Sequence, residues 1–297
     1  AGYDPHGFVG MFNKLQQSAG LNDNGAYPYL RSHPLTTERI ADMQARLQLN
    51  GPVKSTPSDM VQAMLGARAK VMSQNSVEAL RAWTLDSKAT SAQATPAQKI
   101  GALYAATLAH LQLRDLSAAE RTGQALSQTL ASSVLASVPQ ATEAKRLVTL
   151  LQAEVAVRQA RFDVALQILQ TLGGKNPQRP ELLATAQTLL RLPAHSLRAD
   201  ITRQLRELVS QAPNDGQAWD TLARMLALQG QALASLRAEG EAQMARMDWS
   251  GAVDRFRAAQ DWAKNNRLQA GDHIEASIVD TRLRQVRAQI REMQSER

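Results

Sequence analysis

The segment Gly240-Glu241-Ala242-Gln243-Met244-Ala245-Arg246-Met247-Asp248-Trp249-Ser250-Gly251-Ala252-Val253-Asp254-Arg255-Phe256-Arg257-Ala258-Ala259 reads as two helices joined by a turn near Asp248. Gly240 lies twelve positions before Ala252, Trp249 three before it, Phe256 four after it and Ala259 seven after it. Small residues on facing sides let two backbones approach, an aromatic residue closes the turn, and the later apolar residues face the next hairpin. The same spacing occurs 87 residues earlier, with Ala153 twelve before Ala165, Phe162 three before it, Leu169 four after it and Leu172 seven after it. Trp219, Leu222, Ala223, Leu226 and Gly230 give a partial match to the first helix of such a unit, and Leu103, Thr107, Leu116 and Ala119 a weaker one. Self-similarity of this kind is the mark of stacked hairpins, none of which can bury its apolar face alone.

Composition points the same way. Hydrophobic residues make up 44% of the 297, but Phe, Trp and Tyr together only 4%, so Ala and Leu must fill the core. Ala, Leu, Gln and Arg dominate, which are strong helix formers, and almost no strand is expected. There is no cysteine, which removes disulfides and thiolate metal sites. No apolar run reaches the length of a membrane span. The first residues lack the basic start and apolar core of a signal peptide, so any export signal is expected upstream. The formal charge of +7 is spread over many helices rather than gathered in one block, which favours a solvated helical surface over a nucleic-acid footprint.

Turn signals divide the chain. Asp4 and Pro5 suit a helix start, and Gly20 its end; residues 21–35 carry Gly25, Pro28 and Pro34 and read as a loop. Ile40, Met43 and Leu47 share one face of the following helix. Residues 51–58, with Pro52 and Pro57, form the linker between residues 1–50 and an all-helical region, 59–297. There, breaks recur near Arg114-Asp115, Pro139, Arg161, Gly173-Gly174, Pro193, Pro213, Gly230, Asp248 and Gly271. Residues 86–95 read as a flexible turn. Residues 273–296 suit a capping helix, with Ile274, Ile278, Leu283, Val286 and Ile290 as its apolar stripe and Arg282, Arg284, Arg287 and Arg291 around it.

The hairpin spacing resembles the tetratricopeptide repeat, and Pro177, twelve after Ala165, falls where that family's closing proline sits. The resemblance implies a superhelical all-α array that binds protein or peptide clients on the first helices of its hairpins, where Arg158, Gln159, Arg191 and Arg224 are candidate contacts. The interval of 87 is not a multiple of the 34-residue unit, so an insertion or irregular hairpin must intervene.

The first fifty residues carry a second resemblance. Gly2-Tyr3-Asp4-Pro5 precedes an apolar helix ending near Leu15, and Ser32-His33-Pro34-Leu35-Thr36-Thr37-Glu38-Arg39-Ile40 follows. These segments are similar to the C-terminal part of periplasmic gluzincin zinc metalloproteases of the beta-barrel assembly-enhancing kind, which also carry a tetratricopeptide tail. In that family two His of a His-Glu-x-x-His helix and a downstream Glu hold zinc. That helix is absent from this sequence, whose five histidines include no pair four apart, so this chain alone should cleave nothing. The resemblance implies an accessory position near zinc for His33, displayed on an extended loop by Pro34. It also implies a periplasmic location, a missing protease half as partner, and outer-membrane proteins or their assembly machinery as clients. A self-standing, non-enzymatic adaptor is the alternative.

Overall fold

The computed structural model describes residues 6–19, 36–49, 59–74, 76–89, 94–132, 140–173 and 177–295. It divides into two compact units, Ala1–Asp59 and Met60–Arg297. The described residues form fourteen α-helices and no strand. The fold is all-α.

The first unit contains α1 (His6–Ala19) packed on α2 (Thr36–Leu49). Ile40 is buried on the facing side of α2 with Met43 and Leu47 half-buried beside it, as their spacing predicts. The Arg39 guanidinium lies 5.8 Å from the centre of the Phe12 ring. Phe8 and Met11 are exposed. The helix start expected at Asp4 and Pro5, the loop bearing His33 and the linker 51–58 lie outside the described residues.

The second unit runs α3 (Met60–Ser73), α4 (Val77–Ala89), α5 (Pro96–Gln112), α6 (Leu116–Leu130), α7 (Ala141–Arg158), α8 (Phe162–Gly173), α9 (Arg179–Leu189), α10 (Arg198–Gln211), α11 (Gly216–Ala227), α12 (Ala232–Ala245), α13 (Trp249–Asn265) and α14 (Asp272–Ser295). From α4 onward every helix described packs on the next, and α3, α5, α7, α9 and α11 also touch one another in succession. Cross-helix contacts show that these odd-numbered helices run side by side in one direction. Arg179 at the start of α9 pairs with Asp215, the N-cap of α11, and Arg158 at the end of α7 reaches Leu111 O near the end of α5. Residues 86–89 continue α4 rather than forming a turn, and Thr95 caps α5, forming with Gln98 a reciprocal capping box ahead of Pro96; residues 90–93 lie outside the described residues.

Four of the connections share one geometry. Arg114, Ala160, Gly230 and Met247 all adopt left-handed backbone, with φ of 61°, 58°, 73° and 61°. In each, the N–H of the following residue donates to a carbonyl five positions back: Asp115 to His110, Arg161 to Ala156, Gln231 to Leu226 and Asp248 to Gln243. This is the Schellman ending, which satisfies carbonyls that a helix end leaves open. Seven residues before each left-handed position and five after it stand the small pairs Thr107 and Ala119, Ala153 and Ala165, Ala223 and Ser235, and Gly240 and Ala252. All eight are buried. In one pair the contact is polar: Ser235 Oγ donates to Ala223 O at 2.9 Å. The α9–α10 connection has no left-handed residue; there the Arg198 guanidinium donates to the carbonyls of Leu189 and Leu192.

The interval of 87 divides at Ala223: 70 residues separate it from Ala153, two more than two 34-residue units, and Gly240 follows it by seventeen, half a unit. Helix α12 is the second helix of the α11–α12 hairpin and, one turn later, the first helix of the α12–α13 hairpin. Beyond it the succession of touching helices passes from α11 to α12 and α14. Gly240 is the point of closest approach, with the fully buried Phe256 ring laid over it.

The last helix differs from its expected stripe. Val279, Leu283 and Val286 are buried and Ala276 and Ile290 packed beside them, whereas Ile274 is 67% exposed and Ile278 half-buried. The buried positions repeat every three to four residues about Leu283, and Ile274 falls outside that line.

Candidate functional site

The odd-numbered layer presents a polar cluster where α3, α5 and α7 meet. Arg68 on α3 donates from Nη1 and Nη2 to Glu154 Oε2 on α7, at 3.1 and 3.2 Å, and from Nη1 to the Tyr104 hydroxyl on α5 at 3.4 Å. The Arg68 and Glu154 side chains are 40% and 35% exposed, while Tyr104 is buried beneath them. Burial pushes the Tyr104 hydroxyl up, against the opposing pull of Arg68. For Arg68, burial favours the neutral form, but the Glu154 charge, the Tyr104 hydroxyl and the hydrogen bonds to both together outweigh it and the guanidinium is held more firmly protonated. The result is a fixed, solvent-reachable donor and acceptor on one helical layer. Sequence reasoning did not find it, because Arg68 and Glu154 are 86 positions apart and neither stands in a local motif.

Further along, Arg146 on α7 joins Glu143 and Glu181 of α9, and the Glu181 side chain is only 2% exposed. Hydrogen bonding to Glu181 holds the Arg146 guanidinium more firmly protonated. Arg237 on α12 lies 5.4 Å from the Trp219 ring centre and pairs with Glu275 of α14 and with Glu241, which Arg282 also engages at 2.8 Å. Arg282 therefore ties the last helix to α12 rather than standing in solvent.

The four expected contact residues separate. Arg158 is exposed and donates from Nη2 to Leu111 O at 3.4 Å. Gln159 is half-buried and holds the preceding hairpin, donating to Leu116 O at 3.4 Å and to Glu120 at 3.0 Å. Arg191, just past α9, and Arg224 on α11 are exposed. Among the residues expected to shape the repeat, Ala153, Ala165, Trp219, Gly240, Ala252, Phe256 and Ala259 are buried, and Phe162, Pro177 and Trp249 half-buried. Trp219 is also anchored by its indole N–H, which donates to Pro213 O at 2.9 Å.

His33 lies outside the described residues. His110 is half-buried with Nδ1 3.7 Å from Asp115, His195 Nδ1 accepts from Leu197 N–H, and His273 is exposed. Among the described residues, no group of three His, Asp or Glu side chains is placed to hold a metal, and no helix is long and apolar enough to cross a membrane. No family model and no curated protein matches the chain.

Proposed function

We propose that residues 60–297 are a protein-binding array of tetratricopeptide type, and that residues 1–50 are the end of a zinc metalloprotease domain to which the array delivers clients. The observation that carries the binding role is the construction of the second unit. Helices stacked in succession spend their inner faces on one another, and the odd-numbered layer keeps Arg68 and Glu154, seated over the buried Tyr104, in reach of solvent. The four small pairs twelve apart across left-handed turns support the repeat type. The protease reading rests on the motif residues between Gly2 and Ile40. In that reading two zinc-binding histidines and the general base belong to a His-Glu-x-x-His helix, and the third ligand to a downstream Glu, none of them carried by this chain; the metal would activate the attacking water. His33 is the residue of this chain nearest to that chemistry, and the clients are outer-membrane proteins or their assembly machinery in the periplasm.

Two experiments test these statements separately. A denatured outer-membrane barrel precursor, diluted into buffer with the purified chain, should bind it, and Arg68→Glu should weaken that binding without changing the helical content. Equal binding by both proteins would refute the assignment of this face. The upstream coding sequence decides the protease reading: His-Glu-x-x-His with a downstream Glu supports it. A start codon directly ahead of Ala1 with no such motif leaves the self-standing adaptor. In the full-length enzyme, unchanged zinc affinity and peptidase activity in His33→Ala would remove His33 from the site.

A further inference from the structure

The two edges of the odd-numbered layer use their charges differently. At the edge where these helices begin, arginines are matched with acids: Arg146 with Glu143 and Glu181, Arg179 with Asp215, and Arg246 with Asp220 at 4.0 Å. At the opposite edge, where α5, α7, α9 and α11 end, stand Arg114, Arg158, Arg191 and Arg224, all exposed. Among the described residues none of the four has a carboxylate within 4.0 Å. Acids at this edge are largely engaged: Asp115 caps α6 through the Ala118 N–H, Glu120 holds Gln159 and Arg161, and Asp200 holds Arg203. Asp163, in the first turn of α8, is the acid left over.

The row is continuous in the fold. Helices α5 and α7, α7 and α9, and α9 and α11 are neighbours, and Arg158 donates to a carbonyl of α5. Packed helices lie roughly 8–10 Å apart, so the arginines step along the edge at about that interval. An extended polypeptide rises about 3.3 Å per residue, so every third side chain meets one step. Single-stranded nucleic acid is the poorer match. Its bases need aromatic platforms, and the helix ends 111–114, 157–160, 189–192 and 225–230 contain none.

We propose that this edge docks an extended acidic protein segment with carboxylates at about every third residue. The proposal rests on the reading of the second unit as a protein-binding array, and supplies the chemical class of its client. A cation near a helix C-terminus also complements the helix dipole. That role alone would appear as lost stability when the arginines are replaced, not as lost binding.

Fluorescence anisotropy with the purified full chain tests it. The probes are a labelled peptide repeating Glu-Ser-Ala four times, its Gln-Ser-Ala counterpart, and an oligothymidylate of similar length. The acidic peptide should bind, the neutral one should not, and the affinity should fall as salt rises from about 50 to about 300 mM. Arg158→Gln, Arg191→Gln and Arg224→Gln should each weaken binding about two- to fivefold, and all three together roughly tenfold or more. Arg203→Gln, on the self-compensated face of α10, should leave it unchanged. Equal binding of the two peptides, an unaffected triple variant of normal melting temperature, or equally tight and equally arginine-dependent oligothymidylate binding would each overturn the proposal. If the acidic peptide fails while a denatured barrel precursor still binds, this docking edge falls and the array reading stands; if neither binds, both fall.

Discussion

Gly240→Ala should destabilise the protein although the same change helps most helices. A Cβ on Gly240 would stand 2.5, 2.7 and 2.8 Å from Cε1, Cδ1 and Cζ of Phe256. Carbon atoms in contact sit about 3.5–4.0 Å apart, so the ring must retreat by roughly 1 Å. It has little room: Phe256 is fully buried in a core with Leu233, Ala252, Ala259, Val279, Leu283 and Val286. Overpacking of this kind costs about 1–3 kcal/mol. Against it stands the gain of about 1 kcal/mol from removing a glycine inside a helix. At Gly66 on α3 an added Cβ meets nothing within 4 Å, so only the gain remains. The two substitutions should therefore differ by the overpacking cost, about 1–3 kcal/mol, or roughly 2–12 °C in melting temperature for a unit of this size, with Gly240→Ala the less stable. Circular dichroism melts of both variants give the comparison, and hydrogen exchange should place the Gly240→Ala loss in α12–α14. Adding Phe256→Leu should recover part of it. A Gly240→Ala protein that melts at or above the parent would refute the close approach on which the α12–α13 hairpin is built.

Ala160→Gly and Met247→Gly should each stabilise the chain by about 0.5–1 kcal/mol, because left-handed backbone carries a penalty for residues with a Cβ; urea titration checks this, and a loss would contradict the turn geometry. Arg146→Ala should cost about 3 kcal/mol by leaving the buried Glu181 carboxylate unpaired, whereas Arg146→Met with Glu181→Leu should be far milder in the same assay. Asp215 caps α11 through the Ala218 N–H, and its pKa is held below the usual carboxylate range chiefly by hydrogen bonding to Arg179. A lowered folded-state pKa means that its stabilisation is present above about pH 4 and is lost as pH falls through the lowered value. Asp215→Ala should cost about 1 kcal/mol at pH 7 and progressively less toward acid, measured by denaturation across that range.

The hairpins were legible because a small residue must stand at each crossing, and the twelve-residue interval survives whatever occupies the turn. The turns themselves were only partly legible. Three of the four left-handed positions are Arg114, Ala160 and Met247, where glycine is the usual signal, so composition hides a geometry that the backbone bonds make plain. The stripe of α14 was misread at Ile274 because hydrophobicity alone does not say which of two neighbouring faces meets a partner. Polar contacts between helices were not legible at all. Glu181 and Glu154 look like ordinary surface acids until packing sets Glu181 of α9 against Arg146 of α7, and Arg68 of α3 against Glu154 of α7.

The irregular interval of 87 residues carries the most structural information of any sequence feature. A hairpin inserted between two regular units would leave the facing surfaces unchanged, and each helix would still have one hairpin partner. A half-unit shift instead requires one helix to offer small residues in two directions. Helix α12 does so, with Ser235 against Ala223 on α11 and, further along, Gly240 under Phe256 of α13. It also receives α14, held by Arg237 and Glu241 through Glu275 and Arg282. Those bonds make α11–α14 a closely joined end in which α12 is central. The shift ends the succession of odd-numbered helices at α11, and the row of unpaired arginines ends there with Arg224. The length of the odd-numbered layer, and with it of the proposed docking edge, is therefore set at the point where the repeat loses step.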